Sequence, residues 1–175
     1  MSARGDDVTV RSGRAEDRAA IEAVTLAAYE QYAAVLAPPL WAAYRENIVS
    51  TLGVVRPAAQ IVAEEGGALV GTVLLFPAGA VMPNPGATPL EWPEVRLLAV
   101  APAARGKGVA RRLMEECIQR ARGAGSPALT LHTADIMVVA MRLYERMGFT
   151  RAAELDFRPA PEILVKGYRR MLPRS

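Results

Sequence analysis

Arg105-Gly106-Lys107-Gly108-Val109-Ala110 lies between an apolar run, Glu94 to Val100, and a segment whose apolar residues recur at 109, 113, 117 and 121. Spacing by four marks one buried stripe of a helix, and Pro102 ends the strand that precedes it. The order of strand, tight basic turn and helix suits a phosphate. The first N–H groups of a helix have no internal partner and sit at the positive end of its dipole. Gly106 and Gly108 let the backbone approach an anion closely. Arg105 and Lys107 add positive charge beside it, although the same two cations also read as ordinary solvated residues at a helix start. The glycines do not fit a dinucleotide-binding G-x-G-x-x-G, because Arg111 stands where the third glycine is needed, and G-x-x-x-x-G-K-[ST] occurs nowhere in the chain.

The elements that would carry this turn follow from pattern. Val8 to Ser12 alternates as a strand, and Gly13-Arg-Ala-Glu-Asp17 leads into an Ala-rich helix to about Ala34. Pro38-Pro39 predicts a break, followed by a second helix from Leu40 to about Leu52, with Leu40, Tyr44 and Ile48 at four-residue spacing. Gln60 to Glu64 and Ala68 to Phe76 read as a strand hairpin around Glu65-Gly66-Gly67. Residues 77–93 hold five of the chain's 13 prolines. They predict a surface excursion between strands, which would equally serve as a wall of a substrate site. After the central helix come a strand, Ala128 to Thr133, and a short helix, Met137 to Met147, closed by Gly148 as a left-handed cap with Phe149 folded back on the last turn. Thr150 to Phe157 and Ile163 to Leu172 are expected as two closing strands.

The 175 residues suit one domain with a full core. The net charge of +3 comes from 21 Lys and Arg scattered among 18 Asp and Glu, which argues against nucleic acid and is compatible with a small anionic ligand. Cys117 is the one cysteine and falls on the apolar stripe of the central helix, so a plain buried thiol is expected. One His and one Cys do not make a zinc site, and no metal is expected. No signal-peptide pattern and no apolar stretch of membrane-spanning length is visible, so a cytoplasmic location without membrane attachment is expected.

Arg105-x-x-Gly108-x-Ala110, placed after Glu94 to Val100, resembles the R/Q-x-x-G-x-G/A coenzyme A loop of the GNAT superfamily, the acetyl-CoA-dependent N-acetyltransferases. Ala140-x-x-Leu143-Tyr144-Glu145-x-Met147-Gly148-Phe149 resembles that family's A-x-x-L-Y-x-x-x-G-F segment. The order β-α-α-β-β-β-α-β-α-β-β carries the resemblance over nearly the whole chain. It implies an α/β (α+β) fold in which helices flank a mixed, mostly antiparallel central sheet, with a splay between the fourth and fifth strands. Residues 1–175 would then form a single N-acetyltransferase domain. The implied cosubstrate is acetyl-CoA, its diphosphate held by Arg105, Gly106, Lys107, Gly108, Val109 and Ala110. The pantetheine arm would pair with the fourth-strand backbone at Leu98 and Val100, and the thioester carbonyl would meet an N–H near Leu98.

The resemblance also implies roles. A primary amine is mostly protonated at pH 7 and needs a base; Glu94 matches the family's carboxylate near the start of the fourth strand, acting directly or through water, unless it is merely a polar strand-end residue. Tyr144 carries a phenol of ordinary pKa about 10 and would protonate the leaving thiolate, the bland alternative being a core aromatic. Many relatives carry Asn seven residues before the tyrosine; here Met137 stands there, which removes one polar contact to the cofactor. His132, the one histidine, reads as a strand-end residue with a satisfied hydrogen bond rather than a catalytic group. Tyr29, Tyr32, Trp41, Tyr44 and Trp92 read mostly as packing residues. The expected reaction is transfer of acetyl to a primary amine by direct attack in a ternary complex, with a small-molecule acceptor. The alternatives are a protein N-terminus or lysine as acceptor, and a non-catalytic CoA-binding sensor. The family's frequent dimers make a homodimer compatible.

Overall fold

The computed structural model describes residues 8–54, 59–81 and 88–173. Its strands are β1 (Val8–Ser12), β2 (Ala59–Glu65), β3 (Ala68–Phe76), β4 (Glu94–Val100), β5 (Ala128–Ala134), β6 (Thr150–Arg151), β7 (Phe157–Ala160) and β8 (Ile163–Met171). Its helices are α1 (Arg18–Tyr29), α2 (Pro38–Val54), α3 (Val109–Gly123) and α4 (Val138–Arg146). The strands follow the order β1-β2-β3-β4-β5-β8-β6, with β7 on β8. The pairs β1–β2, β2–β3, β5–β8, β6–β8 and β7–β8 are antiparallel, and β4–β5 is parallel. The result is the mixed, mostly antiparallel sheet with flanking helices expected from the sequence. The chain falls into two compact units: residues up to Leu75 with Leu97–Glu116, and Phe76–Arg96 with the chain from Cys117 onward.

In the first unit, β2 and β3 form a hairpin whose two-residue turn, Gly66 and Gly67, has φ of 59° and 82°. Only glycine adopts two such consecutive left-handed angles without strain, which explains the Gly-Gly at this place. Ile21, Ile48, Ile61, Val73, Val109 and Leu113 are buried and make the core. Gly71 sits under α3: a Cβ there would lie 2.7 Å from Val109 Cγ1 and 3.0 Å from Leu113 Cδ1, so its missing side chain sets how closely helix and sheet approach. Two expectations need correction. Pro38 and Pro39 form the first turn of α2 instead of preceding it, because N–H groups at that position have no intrahelical acceptor to lose. The first helix stops at Tyr29 and continues to Ala34 as a 3-10 turn.

The chain enters α1 through an ion cluster. Arg11 donates to both oxygens of Asp17, at 2.7 and 3.1 Å, and to Glu64 Oε1 at 2.5 Å; the Arg14 N–H also donates to Asp17, at 2.7 Å. These donors hold the Asp17 carboxyl down at about 2.

In the second unit, β5 pairs with β8 from Ala128↔Met171 to Ala134↔Val165. The expected single strand over 150–157 is broken: β6 ends at Arg151, a 3-10 turn spans Ala153–Leu155, and β7 begins at Phe157. Gly167 on β8 explains the detour. Its N–H donates to Asp156 Oδ1 (2.8 Å), its carbonyl accepts from the Ala152 N–H (3.0 Å) and from Arg151 Nη1 (2.6 Å), and the absence of a side chain lets Leu155 fold onto it. The excursion over 77–93 is pinched at its base, where the Gly79 N–H donates to the Leu90 carbonyl (2.7 Å) and the Leu90 N–H to that of Ala80 (2.9 Å). Residues 82–87 lie outside the described residues. The α3 stripe is as expected, with Val109, Leu113, Cys117 and Ala121 all buried.

Candidate active site

The basic turn keeps its predicted place. Pro102–Ala104 is a 3-10 turn, Arg105 to Gly108 form tight turns, and α3 begins at Val109. Gly106 and Gly108 have φ of 78° and 77°, and a Cβ at either would meet no atom within 4 Å. Conformation rather than packing therefore requires glycine here, and the backbone edge faces open space. The Arg112 N–H already reaches the Gly108 carbonyl (3.1 Å), which leaves the N–H groups of Val109, Ala110 and Arg111 as the ones a helix start cannot pair internally. The Val109 side chain is core, so Val109 offers its N–H alone. The two cations are engaged. Arg105 Nη2 donates to the Ala28 carbonyl in the last turn of α1 (3.1 Å), and Lys107 Nζ pairs with Glu65 (2.8 Å), half exposed. A diphosphate fits this donor set of backbone N–H groups at two left-handed glycines, with Arg105 and Lys107 beside them.

Leu98 and Val100 lie half-buried on β4. Just before them, Leu97 has φ of 51°, the one non-glycine residue at positive φ among the described residues. A leucine held there costs on the order of 1–3 kcal/mol and turns the peptide that follows it. Pairing with β5 is recorded only at Glu94↔Thr130 and Val95↔Leu131, before the kink.

That short parallel register builds the charged part of the site. Glu94 and Arg96 share one face of β4, and Thr130 and His132 the adjoining face of β5, by the two-residue strand repeat. Glu94 is 2% exposed. Its Oε1 accepts from Arg96 Nε at 2.5 Å, and its Oε2 stands 3.3 Å from His132 Nδ1. Burial pushes the Glu94 carboxyl up, but His132 and Arg96 together outweigh it and hold it below the ordinary carboxylate value. For His132 burial acts to lower the pKa, yet Glu94 and the Leu155 carbonyl raise it on balance above the usual histidine value. Each partner thus favours the charged form of the other. A carboxylate held in its ionised form can accept a proton, directly or through an intervening water, or balance an ammonium.

Tyr144, 7% exposed, is fixed by the end of α4. The Phe149 N–H donates to the Tyr144 carbonyl and the Gly148 N–H to that of Glu145, both at 3.0 Å, with Gly148 at φ 83°. These are the two bonds of a Schellman cap, and its hydrophobic contact is Tyr144 on Phe149, ring centroids 6.1 Å apart at 63°. The L-Y-x-x-x-G-F spacing is thus the length of one helix cap that locks the tyrosine ring. His132 does find the hydrogen bond expected of a strand-end histidine, Nε2 to the Leu155 carbonyl at 2.9 Å. Its pairing with Glu94 was not anticipated, because the register of β4 on β5 has no signature in composition. Tyr29, Tyr32, Trp41 and Tyr44 pack edge to face, with centroids 5.8 to 6.3 Å apart, as packing residues do. Among the described residues no group of His, Cys, Asp and Glu could hold a metal ion, and no helix is long and apolar enough to cross a membrane.

A sheet of this order, a glycine-turned helix start after β4 and a capped Leu-Tyr helix are the features of the GNAT fold. Residues 20–149 match the Acetyltransferase (GNAT) family, and the chain belongs to it. Among its relatives, mycothiol acetyltransferase of Thermomonospora curvata is 36% identical over 97 residues, covering 55% of this chain and 29% of that protein. Human N-acetyltransferase 8B is 32% identical over 103 residues, 55% of this chain and 40% of its own length. The chain thus spans under half the length of these two relatives. The crystal structure of PaiA N-acetyltransferase from Thermoplasma acidophilum, in complex with coenzyme A, superposes with a TM-score of 0.69 at 14% identity over 95% of this chain and all of that one, which shows the fold.

Proposed function

We propose that residues 1–175 form one cytoplasmic N-acetyltransferase domain that moves an acetyl group from acetyl-CoA to the primary amine of a small molecule by direct attack in a ternary complex. The observation that carries the cosubstrate is the turn from Arg105 to Ala110, with its two left-handed glycines before α3. A relative named for mycothiol supports a small-molecule acceptor. Acetyl-CoA supplies the activated thioester. The chain's own groups do the rest. Backbone N–H groups from Gly106 to Ala110, with Arg105 and Lys107, would hold the diphosphate; the β4 backbone at Leu98 and Val100 would orient the arm, and an N–H near Leu98 would stabilise the oxyanion. Glu94 draws the amine proton through water, and Tyr144 holds a proton at Oη for the leaving sulfur.

The test is CoA release with a panel of small amines, in wild type and Glu94→Gln. Turnover of at least one amine is expected, with kcat about 10²-fold lower in the variant near neutral pH. The deficit should shrink at high pH, where the amine is already neutral, and CoA affinity should be unchanged. A variant with wild-type kcat and weakened acceptor binding would make Glu94 a cation anchor. Tight CoA binding without turnover of any amine would make the protein a sensor.

A further inference from the structure

We infer that His132 is a positioning residue for this reaction: it ties the Leu155 carbonyl to the Glu94 carboxylate, fixes the direction of Glu94 Oε2 and supplies, with Arg96, the positive charge that the carboxylate faces. The inference rests on the proposed role of Glu94 and extends it to a second residue and to the segment that covers the ring.

The argument starts from the carbonyl. A backbone oxygen only accepts, so the nitrogen 2.9 Å from Leu155 O must carry a hydrogen in every protonation state. Nε2 is thereby fixed as N–H, and Nδ1 is the nitrogen that titrates. Nδ1 is buried, has no well-formed hydrogen bond, and stands 3.3 Å from Glu94 Oε2. In the neutral ring a lone pair would face a carboxylate oxygen at that distance; in the protonated ring an N–H does. The carboxylate thus selects the imidazolium, and the imidazolium the carboxylate. No ring nitrogen is left to take a proton from a substrate, which removes His132 as the base itself. Glu94 keeps unused lone pairs, since a carboxylate has about four acceptor sites and Arg96 and His132 occupy one each.

The ring is also held sideways. Phe157 packs against it edge-on, centroids 5.3 Å apart at 69°. Leu155 and Phe157 flank the start of β7, and Asp156 between them is fixed by the Gly167 N–H and by Arg151. The charged groups around the imidazole are Glu94 and Arg96 on β4, and Asp156, with its partner Arg151, in the covering segment. On β8 Gly167 lies opposite His132, with Lys166 and Arg169 at the register positions of Thr133 and Thr130.

His132 is the one histidine of the chain, so its ring protons give a single titration curve by NMR without any histidine variant. The wild-type midpoint is expected above the ordinary histidine value, and in Glu94→Gln it should fall, because burial and Arg96 are then opposed mainly by the Leu155 carbonyl. An unchanged midpoint in Glu94→Gln overturns the pairing. Kinetics provides the second arm. His132→Gln should lower kcat on the order of tenfold near neutral pH with KM for acetyl-CoA unchanged, and shift the acid limb of kcat/KM to higher pH, since Glu94 loses a cation that favours its ionised form. In the Glu94→Gln background the same change should cost nothing further, because a residue acting through Glu94 has nothing left to position. Additive losses, or an acid limb that stays in place, overturn the inference while leaving Glu94 in its role. If Glu94→Gln itself keeps wild-type kcat, the role of Glu94 fails, and that of His132 with it.

Discussion

Gly167→Ala is a one-methyl perturbation that tests how the site is held from behind. Gly167 is not at positive φ, so alanine meets no backbone strain there and its effect is steric. The new Cβ would lie 2.9 Å from the Ala152 carbonyl oxygen and 3.2 Å from the Leu155 carbonyl carbon, and closer still to Leu155 Cβ. Non-bonded carbons rest about 3.5–4.0 Å apart, so the Leu155 carbonyl must retreat by at least roughly 0.3–0.8 Å, and the Leu155 Cβ by more. Overpacking of this kind costs about 1–3 kcal/mol, offset by about 0.4–1 kcal/mol from the smaller conformational freedom of unfolded alanine. A net loss of about 1–2 kcal/mol is expected. In a domain of this size each kcal/mol lowers Tm by about 2–4 °C, so thermal unfolding should fall by roughly 2–8 °C. The same retreat moves the oxygen that fixes His132 Nε2. A shift of about 0.5 Å takes that 2.9 Å contact to the edge of hydrogen-bond range, and kcat should drop with KM for acetyl-CoA untouched. Scanning calorimetry and steady-state kinetics read the two effects. A wild-type Tm refutes the packing argument. A lowered Tm with unchanged kcat in the folded protein refutes the link from Gly167 through Leu155 to the site.

Tyr144→Phe keeps the ring contact with Phe149 and removes the hydroxyl, so kcat should fall about 10²-fold or more with little change in Tm; a wild-type kcat in an assay limited by chemistry returns Tyr144 to packing. Gly108→Val places a β-branched residue at a φ of 77° and shields the helix start, so calorimetry should show CoA affinity reduced at least tenfold, and an unchanged affinity in a folded variant sinks the diphosphate assignment.

The parts of the fold that were legible in the sequence are those whose signal is local. The α3 stripe at 109, 113, 117 and 121 is a period, the Gly66-Gly67 turn a pair of left-handed angles, and the Gly148-Phe149 cap a six-residue arrangement; each is local in the chain and each lies where expected. The misreadings share the opposite property. Residues 150–157 carry strand-forming residues, but their path is set by Gly167, more than ten residues later, whose bare backbone accepts two donors and gives its N–H to Asp156. Nothing within the segment announces that partner. Pro38-Pro39 failed differently: proline is compatible both with a break and with a first helical turn, and local sequence does not choose between them.

The same division runs through the candidate site. The turn at 105–108 is local and could be read as a phosphate-binding feature before any fold was known. The environment of Glu94 could not, because it is made where β4 and β5 run side by side for two residue pairs and bring His132 next to a carboxylate 38 positions away. Leu97 completes the point. A leucine gives no hint of positive φ, and the one here lies two residues beyond Val95, the last residue of β4 paired with β5. The register that brings His132 to Glu94 thus ends two residues before this positive-φ position, which the proposed Leu98 donor follows. If base and oxyanion donor are tuned together in this way, a change relieving the kink, such as Leu97→Gly, reaches the chemistry through the backbone without touching any charged group.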